Sequence, residues 1–434
     1  MDYIQEPAWI VDGKLDEVNF AKFMLDYKKM VYAEGSFFTT EGRLQNEEWL
    51  RREIYLFIRD YVSTNVSRKV ENILAVMRME CAQEMPYDEY TLHMANGTYH
   101  LIDGFSTKRY ICRRRLPVEY NPHASTPERW LSFLDELLEP EDIPTLQEFM
   151  GYCLIPVNLG QKMLIITGRG GEGKSRIGYV MKQLLGDGMN FGSIAKVETN
   201  AFARADLEHK LLMVDDDLRL TRLPTTNNLK SLITAEMPVD LERKGKQSYQ
   251  GMMYARFMAF GNGTLQAEND NSFGFYRRQI ILNAKPKDPM RVDDPYLAMK
   301  LKEEIEGIFL WCLQGLYRLV DKDFRFHLSK AARENTAQAM SLSNNIPLFM
   351  ASEGYFVKDE NAMVTTRQLY DAYRQWCADN TCHSMGMYTF SASIKQDAQY
   401  YGLQYDSNVP SESGKRVRGF RGIRLVHAGE RDRE

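Results

Sequence analysis

One stretch of the chain has residue types and spacing suited to holding phosphate: 162-KMLIITGRGGEGKSRIGYVMKQLL-185. It contains Gly168-x-x-x-x-Gly173-Lys174-Ser175. Glycines at 168, 170, 171 and 173 let the backbone turn tightly, so that its N–H groups can face an anion. An apolar run before the loop predicts a strand, and the pattern after it predicts a helix. That is the context the motif requires, with the positive helix end arriving near Lys174. Lys174 then reaches the β- and γ-phosphates and the Ser175 hydroxyl ligates Mg²⁺, while Glu172 and Arg176 complete the nucleotide-facing loop. The cofactors this predicts are ATP and Mg²⁺. A chance glycine-rich turn would not need strand and helix in register on either side.

The run 211-LLMVDDDL-218 ends an apolar strand in Asp215, Asp216 and Asp217. One carboxylate in that position can hold the Mg²⁺ shell and the next can activate water. We read Asp216 as the metal ligand and Asp217 as the base, with the assignment among the three acids left open. Asn262 closes the apolar run 255-ARFMAFGNG-263, where an amide would position water, although an Asn-Gly turn alone also explains it. Arg277 and Arg278 precede another apolar run. Paired arginines are ordinary surface charge unless a neighbouring subunit's γ-phosphate comes within reach.

From residue 162 onward short apolar strands alternate with helices, the order of a mostly parallel α/β sheet. The predicted strands are KMLIIT, HKLLMVDDD, YARFMAFGN and RRQIIL, with helices in KSRIGYVMKQLL and TTNNLKSLITAE. Residues 1–75, including LDEVNFAKFMLDYKKMVY, read as helical, with Asn46 as a cap. A hairpin is expected around Asn96-Gly97. A further helix is expected from 126, with Thr126 as cap, Pro127 in the first turn and Glu128 early. Residues 300–320 read as helix and 322–346 as a polar connector. The last block reads helix, helix, then a basic strand pair within GKRVRGFRGIRLVHA, the order of a winged helix. These patterns divide the chain into 1–140, 141–325 and 326–434.

At 434 residues with 44% hydrophobic and 12% aromatic content, the chain can build packed cores and is not a disordered class. No apolar run is long enough to span a membrane, and the start lacks a signal-peptide pattern. Six scattered cysteines suit a reducing cytoplasm. Cys377, Cys382 and His383 lack a fourth ligand and a paired-cysteine spacing, so they read as core and loop residues rather than a zinc site. His93 and His100 flank the Asn-Gly turn and read as packing or hydrogen-bonding residues. Basic runs occur at 108–116 and 414–425; a solvated face explains either, and a wing would place the second against phosphates. A net charge of −4 does not mark a nucleic-acid binder, yet a local basic surface can act within an acidic whole.

Between the helix after the acidic strand and the strand ending in Asn262 lies 240-DLERKGKQSYQG-251, a hairpin pattern with Lys244 and Lys246 at its tip. This order of phosphate loop, acidic strand, basic hairpin, Asn-tipped strand and Arg-Arg resembles the superfamily-3 helicases. More narrowly it resembles the poxvirus-type and phage/plasmid primase-helicase branch. HMANGTYHL, VEYNPHASTPERWLSFL and LQEFMGYCL before the core, and LYDAYRQWCADN with FRGIRL after it, extend the likeness over residues 80 to 427. The resemblance implies an α/β P-loop AAA+ core, with a mainly helical N-terminal region and a C-terminal winged-helix domain. It also implies a hexameric ring in a host-cell cytoplasm that moves on single-stranded and forked duplex DNA during replication. A primase, polymerase or single-strand-binding protein would be a partner, and no membrane would be involved.

Carried over by position, Lys174 and Ser175 are Walker A, Asp216 and Asp217 Walker B, Asn262 sensor 1, and Arg278, with Arg277 second, the arginine finger. Lys230 falls in the motif before the hairpin, whose Lys244 and Lys246 would grip DNA. The chain departs from the pattern at Gly261, where the family often has threonine, after Asn262, where a proline is usual, and at the catalytic acid, often Glu. The first 75 residues match nothing in that family, and no primase-type carboxylate cluster is evident. Two other classes fit the motifs: an origin-binding initiator that melts DNA, and an AAA+ remodelling ATPase without a nucleic-acid role.

Overall fold

The computed structural model describes residues 6–42, 44–86, 89–218, 222–245, 247–267, 273–343, 345–382, 384–411 and 414–426. The chain forms two compact units. One comprises Met1–Thr221, Thr226–Thr264 and Arg278–Ala332; the other comprises Arg222–Thr225, Leu265–Arg277 and Arg333–Glu434.

The first unit is organised by a five-stranded sheet: β1 (Met163–Thr167), β2 (Met189–Phe191), β3 (Leu212–Leu218), β4 (Arg256–Gly261) and β5 (Gln279–Asn283). Every pairing is parallel and the order across the sheet is β5-β1-β4-β3-β2. Parallel strands covered on both faces need continuous apolar runs, and Leu164, Ile165 and Ile166 of β1 are fully buried, as are Phe257, Met258 and Ala259 of β4. Four strands lie where the apolar runs predict them. The edge strand β2 was not foreseen, because three residues with Asn190 at the centre carry no strand pattern of their own.

Helix Ile143–Tyr152 crosses helix Ile305–Asp321 at two glycines. A Cβ on Gly151 would stand 2.6 Å from the Leu316 nitrogen, and one on Gly315 would strike the Gln147 carbonyl oxygen. The helices therefore touch backbone to backbone, and Gln147 Nε2 donates to the Trp311 carbonyl at 2.8 Å.

The N-terminal segment contains more strand than its helical periodicity suggests. Helix Glu17–Lys28 is capped by Asp16, whose carboxylate accepts from Val18 and Asn19, and ends at Lys29 in the left-handed region. The chain then turns into a hairpin, Met30–Ala33 against Ser36–Thr39, so Met30-Val31-Tyr32 are strand and not helix. Glu34 and Gly35 both have positive φ at its tip, the backbone of a tight hairpin turn. Helices Glu47–Ile58, capped by Asn46 as expected, and Val66–Glu80 close a core around Trp9, Phe20, Met24 and Phe37.

Strands Thr91–His93 and Thr98–His100 pair antiparallel around Asn96-Gly97, and Gly104–Ser106 adds a third strand. The next helix runs Glu128–Leu137 with Pro127, not Thr126, at the cap position. The stretch expected to be a connector contains the helix Lys330–Ser343, whose sparse apolar residues hide it from a periodicity test.

In the second unit, Phe356–Thr365, Arg416–Leu425 and Gln404–Pro410 form an antiparallel sheet with Arg416–Leu425 in the middle. The segment expected to hold a strand pair is thus one strand, and its partner Gln404–Pro410 lies earlier. Helices Ile346–Met350, Thr366–Asp379 and Met387–Gln396 share a core with the sheet through Phe349, Tyr373, Trp376, Phe390, Phe420 and Ile423. Cys377 is buried there and its Sγ accepts from Asn345 Nδ2 at 3.5 Å; burial pushes its thiol pKa up. His383 lies outside the described residues, among which no group of His, Cys, Asp or Glu is arranged to hold a metal. No helix among the described residues is long and apolar enough to cross a membrane.

Candidate functional site

The loop 168–174 leaves the C-terminal end of β1 and enters helix Ser175–Leu185. Gly170, Gly171 and Gly173 have φ of +107°, +82° and +103°, conformations that L side chains rarely adopt. The Gly168 N–H donates to the Gly261 carbonyl at 3.0 Å, which ties the loop to the end of β4. Thr167 Oγ1 donates to Asn283 Oδ1 at 2.6 Å, joining the ends of β1 and β5.

Inside the loop the Glu172 carboxylate is buried. It accepts the Gly170 N–H at 2.9 and 3.0 Å and the Lys174 ammonium at 2.7 Å. Burial works against its charge, but the hydrogen bond and charge of Lys174, with the loop N–H groups, outweigh that and hold its pKa below the ordinary value. Arg291 braces the loop from outside, donating to the Glu172 and Gly171 carbonyls at 3.1 Å each. Nothing in the Pro- and Asp-rich segment around Arg291 marked it in the sequence.

Across from the loop, β3 carries the three acids, and the structure gives them different surroundings. Asp215 pairs with Ala259 and Leu218 with Gly261, so β3 spends three steps where β4 spends two. The extra residue is a bulge that breaks the alternation of faces. Asp216 and Asp217, which would otherwise point opposite ways, are both exposed and both line the cleft. Asp215 instead turns inward and its Oδ2 accepts the Ile194 N–H at 2.8 Å, fixing the start of helix Ile194–Thr199. Burial raises the Asp215 pKa, partly offset by that hydrogen bond.

One cleft of about 1140 Å³ is lined by Gly170 to Arg176, Asp216, Asp217 and Asn262. Residues from helix Glu128–Leu137, including Arg129 and Phe133, and the segment from Arg291 to Leu297 form its other wall. The sequence reading missed that wall because these residues come from two distant segments without a motif. The cleft joins backbone N–H donors, an ammonium, a hydroxyl and two carboxylates that line it, a set that can receive a polyphosphate with a divalent cation.

Arg278 is not part of this cleft. Its carbonyl accepts the Met163 N–H at 2.8 Å, at the start of β1, whereas the loop leaves the other end of that strand. Five residues of extended chain put roughly 16 Å between the two edges. Arg277 is exposed.

The expected hairpin is present: Val239–Leu241 pairs antiparallel with Tyr249–Gly251. Lys244 is exposed beside Gly245, whose φ is +73° at the tip; Lys246 lies outside the described residues. The hairpin is anchored near its tip by Glu208, which accepts from Arg243 and, at 2.6 Å, from the Tyr249 hydroxyl at the tip-side end of the ladder. The helix leading into it, Asn227–Thr234, has its first N–H groups capped by buried Glu198, at 2.7 Å from Leu229 N. Lys230 lies on that helix, partly buried.

The basic run 108–116 is largely spent inside the first unit. Arg113 bonds Ser36 Oγ at 2.9 Å, Arg115 bonds the Met94 and Tyr110 carbonyls at 2.9 and 2.6 Å, and Arg114 stacks 4.6 Å above Tyr254. In the second unit Arg421 is paired with Asp406 at 2.6 Å, while Lys415 and Arg418 are exposed.

Fold and cleft together define a parallel α/β domain with a glycine-rich loop at the end of β1, a strand flanked by β5 and β4. Residues 7–139 match the family model described as D5 N terminal like, and residues 166–278 match a model described as a family of unknown function, DUF5906. Comparison with curated proteins found no match. Among solved structures, the chain is similar to the apo structure of the NrS-1 C-terminal region: 13% identity, 94% of this chain and 99% of that one, TM-score 0.56. It is also similar to the A form apo structure of the same region, at 13% identity over 93% and 98% of the two chains, TM-score 0.55. At that identity the likeness is one of fold.

Proposed function

We propose that this protein is an ATP-driven, ring-forming DNA helicase of the superfamily-3 AAA+ type, serving replication of a phage, plasmid or other mobile element. The observation that carries the reading is the single cleft in which the glycine-rich loop faces the bulged acids and Asn262. The strand order β5-β1-β4-β3-β2 and the Lys-tipped hairpin between the acidic strand and β4 support it, as do the matches to the D5 N terminal like model and the NrS-1 fold. In this reading the C-terminal unit is a winged helix.

In the proposed mechanism the loop N–H groups and Lys174 bind the phosphates. Ser175 and Asp216 line the same cleft and would hold Mg²⁺, which would supply charge neutralisation to the phosphates. Asn262 orients a water and Asp217 accepts its proton as the oxygen attacks the γ-phosphorus in line and the bond to the departing ADP oxygen breaks. Arg278, too far from its own loop, acts on the neighbouring subunit's nucleotide and requires a ring. Hydrolysis shifts the hairpin, and Lys244 with Lys246 draws one DNA strand through the channel.

Strand displacement on tailed duplexes, with and without ATP, tests the reading. ATP-dependent unwinding that Lys174→Ala abolishes is the expected result. A footprint at one duplex site without unwinding would instead indicate an origin-melting initiator. Turnover indifferent to DNA would remove the nucleic-acid role.

A further inference from the structure

The phosphate loop is filled by one of its own side chains. Glu172 is only 2% exposed, yet it is a charged residue on a surface loop. Its two carboxylate oxygens lie 2.9 and 3.0 Å from the Gly170 nitrogen and one lies 2.7 Å from Lys174 Nζ. These are the donors that a glycine-rich loop offers to an anionic oxygen. The space is closed as well as the donors: a Cβ on Gly168 would come within 2.8 Å of Lys174 Nζ and 2.9 Å of Glu172 Oε1. A carboxylate and a phosphate present the same chemistry to these groups, two or more anionic oxygens with outward lone pairs. The Gly170 N–H has one hydrogen and cannot serve both, although the ammonium has three donors to share.

We propose that Glu172 is an internal ligand of the phosphate loop, so that a polyphosphate binds only by displacing its carboxylate. This rests on reading the loop as a nucleotide site. The residue then acts as a gate on affinity rather than as part of the cradle. Arg291 makes displacement local, because it holds the Gly171 and Glu172 carbonyls while the Glu172 carboxylate leaves by rotation about its own side-chain torsions. The charge that leaves the loop is replaced by the charge that enters. Binding therefore exchanges one set of charge-assisted hydrogen bonds for another and gains less than an open loop would.

The test uses Glu172→Gln, which keeps shape but removes the charge, and Glu172→Ala, which removes the carboxylate altogether. Hydrogen–deuterium exchange across residues 168–176, without nucleotide, reads the seat directly. Both variants should exchange several-fold faster than wild type, and both should bind Mg·ATP about tenfold more tightly, as loss of a charge-assisted competitor implies. Unchanged exchange in the loop would overturn the proposal, and so would ATP affinity in both variants equal to or weaker than wild type. Faster exchange with no ATP binding by any form would uphold the seated carboxylate, and the nucleotide reading of the loop would be what falls.

Discussion

The backbone carbonyl of Leu218 lies where a Cβ on Gly261 would have to be. These two residues face each other across β3 and β4, one step beyond the bulge that turns Asp216 and Asp217 into the cleft. Glycine at 261 is therefore a condition of the acidic bulge, which accounts for its presence where the resembling family often has threonine. Gly261→Ala should push the strand ends apart and cut ATP turnover by about tenfold or more while leaving nucleotide affinity nearly unchanged. Steady-state turnover beside a binding titration checks this, and wild-type turnover would mean the bulge tolerates the methyl group.

The three acids should separate into one structural and two chemical residues. Asp215→Ala leaves the Ile194 N–H without its buried acceptor and should cost about 1–3 kcal/mol of stability, seen as a lower melting temperature. Asp216→Ala and Asp217→Ala alter exposed side chains, so stability should hold within about 0.5 kcal/mol while hydrolysis collapses. A melting profile for Asp217→Ala as low as that of Asp215→Ala would contradict the division.

Arg278 sits at the edge of the sheet opposite its own loop, so its effect on hydrolysis should appear only between subunits. Arg278→Ala should bind ATP normally and fail to hydrolyse it. Mixing it with Lys174→Ala, itself inactive, should restore partial turnover, because some interfaces then pair an intact loop with an intact arginine. Absence of complementation in a confirmed mixed assembly would remove Arg278 from the mechanism.

At the hairpin, Lys244→Ala combined with Lys246→Ala should leave basal ATPase untouched and abolish its stimulation by single-stranded DNA. The affinity for DNA should also lose part of its salt dependence, by roughly one unit of slope for each phosphate contact removed. Stimulation that survives would reduce the tip to a turn.

The crossing of helices Ile143–Tyr152 and Ile305–Asp321 should be intolerant of side-chain volume. Gly315→Val places methyl groups against the Gln147 backbone and should destabilise by about 1–3 kcal/mol or more, an overpacking cost. Thermal denaturation measures it, and an unchanged melting temperature would show that the helices can part without loss.

Much of the sheet was legible because parallel strands buried on both faces write themselves as apolar runs, and four of the five did so. The hairpin was legible from its place between the helix after the acidic strand and the strand ending in Asn262, because a Lys-Gly-Lys turn alone marks nothing. Other elements were hidden for local reasons. The Met30–Ala33 strand continues an apolar pattern that fits a helix until Lys29 breaks it with a positive φ. Strand Gln404–Pro410 alternates too weakly to stand out beside the arginine-rich strand it pairs with.

The sequence by itself determined the donor chemistry: glycines that permit the loop, Lys174 and Ser175 at its exit, and acids at the end of an apolar run. Those depend on residue type and short spacing, which a linear chain carries in full. Only the tertiary structure decided which acids face the cleft, because a bulge is set by pairing between β3 and β4, not by either strand alone. It likewise brought Arg291 to the loop from a distant segment, separated Arg278 from its own loop by the length of β1, and seated the Glu172 carboxylate against the Gly170 N–H and Lys174. Each of these depends on where a side chain points once strands are in register, and register exists only in the folded chain.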